Sequence, residues 1–268
     1  MAHRSPVQNP LVTLIIPAYN ESARLRQSLE QVLSYLQQQA YTSEVLLVDD
    51  GSADDTSGVA QQYFDAHRSE RVAGRVLSYH PNRGKGYAVR TGLLAAQGEV
   101  AVFSDADLST PIAELPKLLQ PILADEYDVV FGSRALDRRV IGVRQSWLRE
   151  QSGRFFNRVM RLATGLPYAD TQCGFKAFRL APMRPLVAGA VLDRFAFDVE
   201  LLYLAHQAGL RLLECPVSWN HAEGSKVSLL GGLYSFRELR QLRRRVQSGF
   251  YARALQAARV AVPTVPSK

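Results

Sequence analysis

The sequence predicts an α/β fold: an open, mostly parallel central sheet with helices on both faces. Three observations carry that expectation. Near-continuous apolar runs at 11–16, 44–48 and 100–104 have strand length and little polar alternation, as strands buried on both faces of a parallel sheet do. Each is followed by a helical pattern, at about 21–39, 54–67 and 112–121, which gives repeated β–α units. Each also ends in an acidic turn: Pro17-Ala-Tyr-Asn-Glu21, Asp49-Asp-Gly-Ser52 and Asp105-Ala-Asp107. Ligands of open α/β sheets bind beyond the carboxyl ends of the strands, so three such turns on one rim point to a site there.

The remaining elements follow in chain order. A strand-like run at 75–79 leads through His80-Pro-Asn-Arg-Gly-Lys-Gly-Tyr87 into a helix at about 85–97. Gly84 and Gly86 open that helix and could bring backbone N–H groups and Lys85 near an anion; a plain turn accounts for them equally well. If the next strand persists through Asp105-Ala-Asp107, both carboxylates point the same way. Carboxylates that close repel unless a cation or proton lies between them, and Mg²⁺ is commonly bound by one or two carboxylates plus substrate phosphates. Asp107 and Ser109 could instead cap the helix beginning near Pro111. A helix is expected at 146–163, another starts near Asp198 and Glu200, and a basic amphipathic one covers 231–246. There Leu233, Phe236, Leu239, Leu242 and Val246 recur at helical spacing beside arginines 237, 240, 243, 244 and 245. Such a helix can lie on an anionic membrane surface, and an ordinary surface helix packed on the core explains the stripe as well. From residue 251 onward a frayed helix and then disorder is expected.

Composition narrows the classes. The 268 residues, 47% hydrophobic, suit one large domain over 1–250. Cys173 and Cys215 match no metal-ligand spacing and read as reduced structural thiols of a cytoplasmic protein. No signal peptide or membrane-spanning run is present, so the expectation is a soluble or peripheral protein. The first strand is not followed by G-x-G-x-x-G and no Walker A sequence occurs, which argues against dinucleotide and P-loop enzymes. The net charge of +7 lacks the aromatic platform or module that would direct it to nucleic acid.

By these motifs the span 11–246 resembles glycosyltransferase family 2. Arg149-Glu-Gln-Ser-Gly-Arg-Phe-Phe-Asn157, Asp170-Thr-Gln-Cys-Gly-Phe-Lys176, Phe197-Asp-Val-Glu200 and Gly224-Ser-Lys-Val227 are similar to its dolichyl-phosphate β-glucosyltransferase branch. The resemblance implies a GT-A type, Rossmann-like fold with a nucleotide-sugar half at 11–135 and an acceptor half at 136–250. It implies that Pro17, Ala18, Tyr19 and Glu21 hold the uridine or ribose, and that Asp50 hydrogen-bonds the nucleoside with Val48 beside the base. Asp105, Ala106 and Asp107 match a DxD motif binding Mg²⁺ or Mn²⁺, Ser109 orders its loop, and Arg134 lies near the diphosphate or donor sugar. Arg149, Arg154, Lys176 and Lys226 are the candidate cations for an acceptor phosphate, and Asp170 could orient the acceptor, coordinate a cation or cap a turn.

The implied reaction moves a hexose, glucose in the nearest branch, from a UDP-sugar to polyprenyl phosphate with inversion. The acceptor is a phosphate monoester, largely dianionic near neutrality, so alignment and charge neutralisation matter more than a strong base. Eukaryotic members of the branch carry an amino-terminal membrane span and other family members carry carboxyl-terminal ones; neither appears in this sequence. The acceptor therefore stays open between a lipid phosphate reached by a peripheral basic helix and a soluble molecule. A non-catalytic nucleotide-sugar binding module would require an eroded acidic cluster, and the cluster is intact.

Overall fold

Val12, Leu14 and Ile16 face one side of the central strand and Ile15 faces the other, and all four are fully buried. A strand covered on both faces requires that pattern. The structure, a computed structural model, describes residues 9–136, 141–143, 160–161, 164–220 and 229–261. Its main sheet has seven strands, in the order β3 (Val72–Ser78), β2 (Ser43–Asp49), β1 (Val12–Ala18), β4 (Val100–Ser104), β7 (Phe175–Arg179), β5 (Val129–Ser133) and β8 (Leu212–Pro216). A short parallel pair, β6 (Ile141–Val143) and β9 (Trp219–Asn220), stands apart.

Helices α1 (Ser22–Gln37), α2 (Thr56–Ala66) and α4 (Leu115–Leu123) supply one core layer, with Leu14, Ile16, Val45 and Leu47 of the sheet. On the other face lie α3 (Lys85–Ala95), α5 (Leu180–Gly189) and α6 (Phe197–Ala208), with α7 (Leu229–Gln247) and α8 (Ala252–Ala261) joining the same core.

The topology makes the site. The chain adds β2 and β3 on one side of β1, then crosses to place β4 on the other. Connections leaving β1 and β4 therefore diverge, and a crevice opens between their carboxyl ends. All contacts among β3, β2, β1 and β4 are parallel, whereas β7 runs antiparallel between β4 and β5. The start of β7, preceded by residues 170–174, thus sits on the same rim as Asp105.

The structure decides three points that the sequence left open. The apolar run ends as a strand at Ser104, and Asp105 through Leu108 form a turn, closed by Leu108 N–H to Asp105 O at 3.1 Å with Leu108 at φ 47°. The helix expected after residue 251 spans Ala252–Ala261 and packs on the protein, with Ala258 fully buried and Tyr251 joining the core, while residues 262–268, where disorder was expected, lie outside the described residues. Leu239 and Leu242 of the basic helix are buried against the protein, leaving arginines 237, 240, 243 and 244 exposed. Helix 146–163 lies almost entirely outside the described residues.

At the end of the sheet away from the site, buried Glu44 on β2 joins three strands. It accepts from Thr13 Oγ1 of β1 at 2.8 Å and from Arg75 Nη2 of β3 at 2.7 Å. Removing one member of a buried pair leaves the other uncompensated, softened here because Arg75 reaches solvent. Glu44→Ala is expected to cost about 2 kcal/mol in urea unfolding, with the shift carried by the midpoint rather than the slope.

Candidate active site

β1 and β2 end level, with Ala18 beside Asp49, and β1 and β4 are in register from Val12–Val100 to Ile15–Phe103. Beyond these ends lies a cavity of about 370 Å³. Pro17, Ala18, Tyr19, Glu21 and Arg24 line it from the β1–α1 turn, and Asp50 from the end of β2. Asn82, Gly84 and Lys85 line it from the start of α3, Asp105 through Asp107 from the end of β4, and Arg194 with Phe195 from the loop before α6.

Asp105 and Asp107 do meet the same cavity, through a turn rather than through strand alternation. Asp105 is anchored by its N–H to Gly174 O at 3.2 Å and pairs with the Lys85 ammonium. Asp107 Oδ1 accepts the Ser109 N–H at 3.0 Å, and Ser109 O accepts from Asn220 at 2.8 Å, so Ser109 orders the loop with its backbone. A leucine in the left-handed region costs about 1 kcal/mol, which the surrounding turn must offset.

Lys85 is a third exposed, so the pair stands at the cavity wall rather than inside the core. Burial would lower its pKa, but the Asp105 and Asp198 carboxylates outweigh that and raise it, keeping the ammonium charged. Glu21 accepts from Arg24 Nη2 at 2.8 Å, which fixes the first turn of α1 against the cavity.

Asp50 and Val48 differ from expectation. The Asp50 carboxylate accepts Tyr79 Oη at 2.9 Å and Asn82 Nδ2, Arg83 N–H and Gly84 N–H each at 2.8 Å. A carboxylate has about four acceptor sites, and all four are used to shape the loop entering α3. Of the backbone amides that sequence reasoning offered to a ligand anion, Gly84 N–H goes to Asp50 and Gly86 N–H to Arg194 O at 3.2 Å. Val48 is fully buried in the core and paired within the sheet, behind the rim. Gly51 turns the chain with φ 72° directly beneath Asn82, where a side chain would strike backbone.

Among the described residues no cluster of three or more His, Cys, Asp or Glu side chains could hold a metal by itself. Asp105 and Asp107 instead fit a divalent cation completed by a ligand's phosphates.

The comparisons with known proteins agree with this arrangement. The model of Glycosyl transferase family 2 matches residues 13–185. The chain is 40% identical over 229 residues to dolichyl-phosphate beta-glucosyltransferase of Drosophila melanogaster, covering 81% of this chain and 69% of the relative. The chain belongs to glycosyltransferase family 2. To the human protein of the same name identity is 36% over 228 residues, with the same two coverages, 81% and 69%. The fold is also that of Mycobacterium tuberculosis glucosyl-3-phosphoglycerate synthase, solved with Mn²⁺ and UDP: TM-score 0.57, 18% identity, covering 91% of this chain and 80% of that one.

In this transferase Arg134, at the end of β5, donates to both Asp170 oxygens, at 2.7 Å and 2.9 Å. Burial opposes ionisation of Asp170, yet the Arg134 charge and its hydrogen bonds hold the carboxyl down at about 2. Asp170 is thus committed to Arg134 and to the Gln172 N–H, and its place is under the arginine rather than against a substrate. Arg134 itself remains one-third exposed, 5.9 Å from the Trp219 ring.

Lys176 is corrected as an acceptor contact. It is fully buried, bonding Cys173 O at 2.5 Å and Asp198 Oδ1 at 2.6 Å, so its charge secures the first turn of α6. Burial pushes the Cys173 thiol up to about 11, in keeping with a structural cysteine. Arg149, Arg154 and Lys226 lie outside the described residues.

Sequence reasoning missed Gly174, Arg24, Arg194 and Phe195. Only Gly174 left a signal, as the glycine of the Asp170–Lys176 motif. A Cβ on Gly174 would lie 2.2 Å from Asp105 Oδ2. The carboxylate can swing away, so Gly174→Ala should unfold within about 1 kcal/mol of wild type yet lose roughly a hundredfold in kcat/KM. Parallel thermal melts and transfer rates check this.

A folded pKa depressed below the unfolded value near 3.9 contributes stability above about pH 4 that is lost as pH falls through about 2. The stability difference between wild type and Asp170→Asn should therefore shrink by about 2 kcal/mol between pH 5 and pH 2 in urea titrations.

Proposed function

We propose that this glycosyltransferase moves glucose from UDP-glucose to a polyprenyl phosphate of the dolichyl type, in one inverting displacement. The observation that carries the reading is the pairing of Asp105 and Asp107 beside Lys85 in the cavity. It occurs in a chain aligned over four-fifths of its length with proteins named dolichyl-phosphate beta-glucosyltransferase.

Pro17, Ala18, Tyr19 and Glu21 would enclose the uridine, opposite the loop into α3 that the Asp50 carboxylate shapes. Asp105 and Asp107 would hold Mg²⁺ or Mn²⁺, which when bound supplies positive charge to the diphosphate. Lys85 keeps its proton and adds charge from the start of α3. Arg134, oriented by Asp170, would face the sugar or the acceptor phosphate. No strong base is assigned, since a phosphate monoester with a second pKa of about 6 arrives largely ionised.

The acceptor would be met at a membrane surface. With Leu239 and Leu242 spent on the core, the exposed arginines of α7 would engage anionic headgroups by charge alone. No helix among the described residues is long and apolar enough to cross a bilayer.

The test is transfer from radiolabelled UDP-glucose to polyprenyl phosphate embedded in anionic vesicles, with Mg²⁺. Label should become organic-extractable, more slowly at high salt, and Asp107→Ala should abolish it while the protein stays folded, its melting temperature lowered only by loss of the Ser109 hydrogen bond. Label confined to a new water-soluble phosphorylated sugar would replace the lipid acceptor with a soluble one. UDP release indifferent to every acceptor would end the reading.

A further inference from the structure

The cavity wall formed by Arg194 and Phe195 is not held by the sheet. These residues belong to an irregular segment, 190–196, between α5 and α6, and the backbone N–H groups of such a segment need partners. Two glutamates supply them. Buried Glu200 accepts Val191 N–H at 3.0 Å and Leu192 N–H at 2.8 Å, and is itself bonded by Tyr251 Oη at 2.6 Å. Glu238, on α7, accepts Arg194 N–H at 3.0 Å, Phe195 N–H at 3.0 Å and Ala196 N–H at 2.9 Å. Ala196 is the residue before α6, so Glu238 also places a negative charge where the amino end of that helix favours one.

The segment in turn supports α3. Gly86 N–H reaches Arg194 O at 3.2 Å and Tyr87 N–H reaches Asp193 O at 3.0 Å. The approach is close enough that a Cβ on Gly84 would lie 2.6 Å from Asp193 O, and one on Gly86 2.6 Å from Leu192 O. Lys85, between these glycines, is the cation paired with Asp105. Glu238 thus stands behind two parts of the cavity: the Arg194–Phe195 wall directly, and Lys85 through the segment on which α3 starts.

We infer that Glu238 is a positioning residue for nucleotide binding, acting from the basic helix through the backbone of residues 194–196. Its neighbours on the exposed face of α7 are arginines, so one helix carries both the charged outer face and the brace of the donor cavity. This rests on the proposed reading of the cavity as a UDP-sugar site.

Glu238→Ala, Glu238→Gln and Leu242→Ala are compared with wild type by titration calorimetry with UDP and Mg²⁺, by steady-state kinetics, and by amide hydrogen exchange over 190–197. Leu242→Ala removes a buried contact of the same helix and controls for simple loss of stability. Glu238→Ala should weaken UDP binding by about tenfold, roughly the worth of one or two lost hydrogen bonds, and raise KM for the UDP-sugar with kcat little changed. Glu238→Gln, which keeps one accepting oxygen, should fall between. Exchange over 194–196 should quicken in Glu238→Ala and not in Leu242→Ala. UDP binding unchanged in Glu238→Ala, or equally weakened in Leu242→Ala, would overturn the inference while leaving the donor site standing. Wild-type protein that fails to bind UDP would overturn the donor site itself, and this assignment with it.

Discussion

A carboxylate presented at the end of a buried strand needs a compensating charge, and the site is organised around how Asp105 obtains one. Lys85 reaches it from the start of α3. Lys85 also feels Asp198, and Asp198 is bonded to fully buried Lys176. Acid and base thus alternate from the cavity wall into the core, and no charge along the line is left alone. Burial of that kind is tolerated only when each member is paired and hydrogen-bonded. The same line joins elements distant in sequence: β4, α3, α6 and β7 meet through it.

The loops around the cavity follow a common principle, in which acidic side chains serve backbone N–H groups as often as they serve a ligand. Asp50 shapes the turn into α3, Asp49 bonds Ser52 and Ser57 in the β2–α2 turn, and Glu200 with Glu238 holds the segment before α6. Asp107 caps its own turn with one oxygen. An acidic rim therefore contains two populations. Asp105 and Asp107 face the cavity with capacity to spare, while Asp49, Asp50 and Asp170 are consumed in building it.

Much of this was readable from residue order. Apolar runs without alternation located β1, β2 and β4, and the acidic turns after them located the rim, because strand ends of parallel sheets coincide on one side. The roles within the rim were less legible. Asp50 and Asp105 look alike in sequence, each a carboxylate following a buried strand. What separates them is the set of donors around each, and Tyr79, Asn82, Arg83 and Gly84 arrive at Asp50 from a different strand and loop. Lys176 misled for a similar reason: a lysine in a family motif suggests an exposed cation, but its strand lies in the middle of the sheet. The basic helix was found by its periodicity, although periodicity could not say that Leu239 and Leu242 would be buried by the protein itself.

The sequence by itself determined the α/β architecture, the line of acidic turns and the family, since all three depend on patterns within short, contiguous stretches. Only the tertiary structure decided that β7 runs antiparallel between β4 and β5. That single reversal carries residues 170–174 to the rim, sets Gly174 against Asp105 and places Asp170 under Arg134. Strand direction depends on which edges find partners after the chain has collapsed, and hydrogen bonding between strands leaves no local trace in the order of residues.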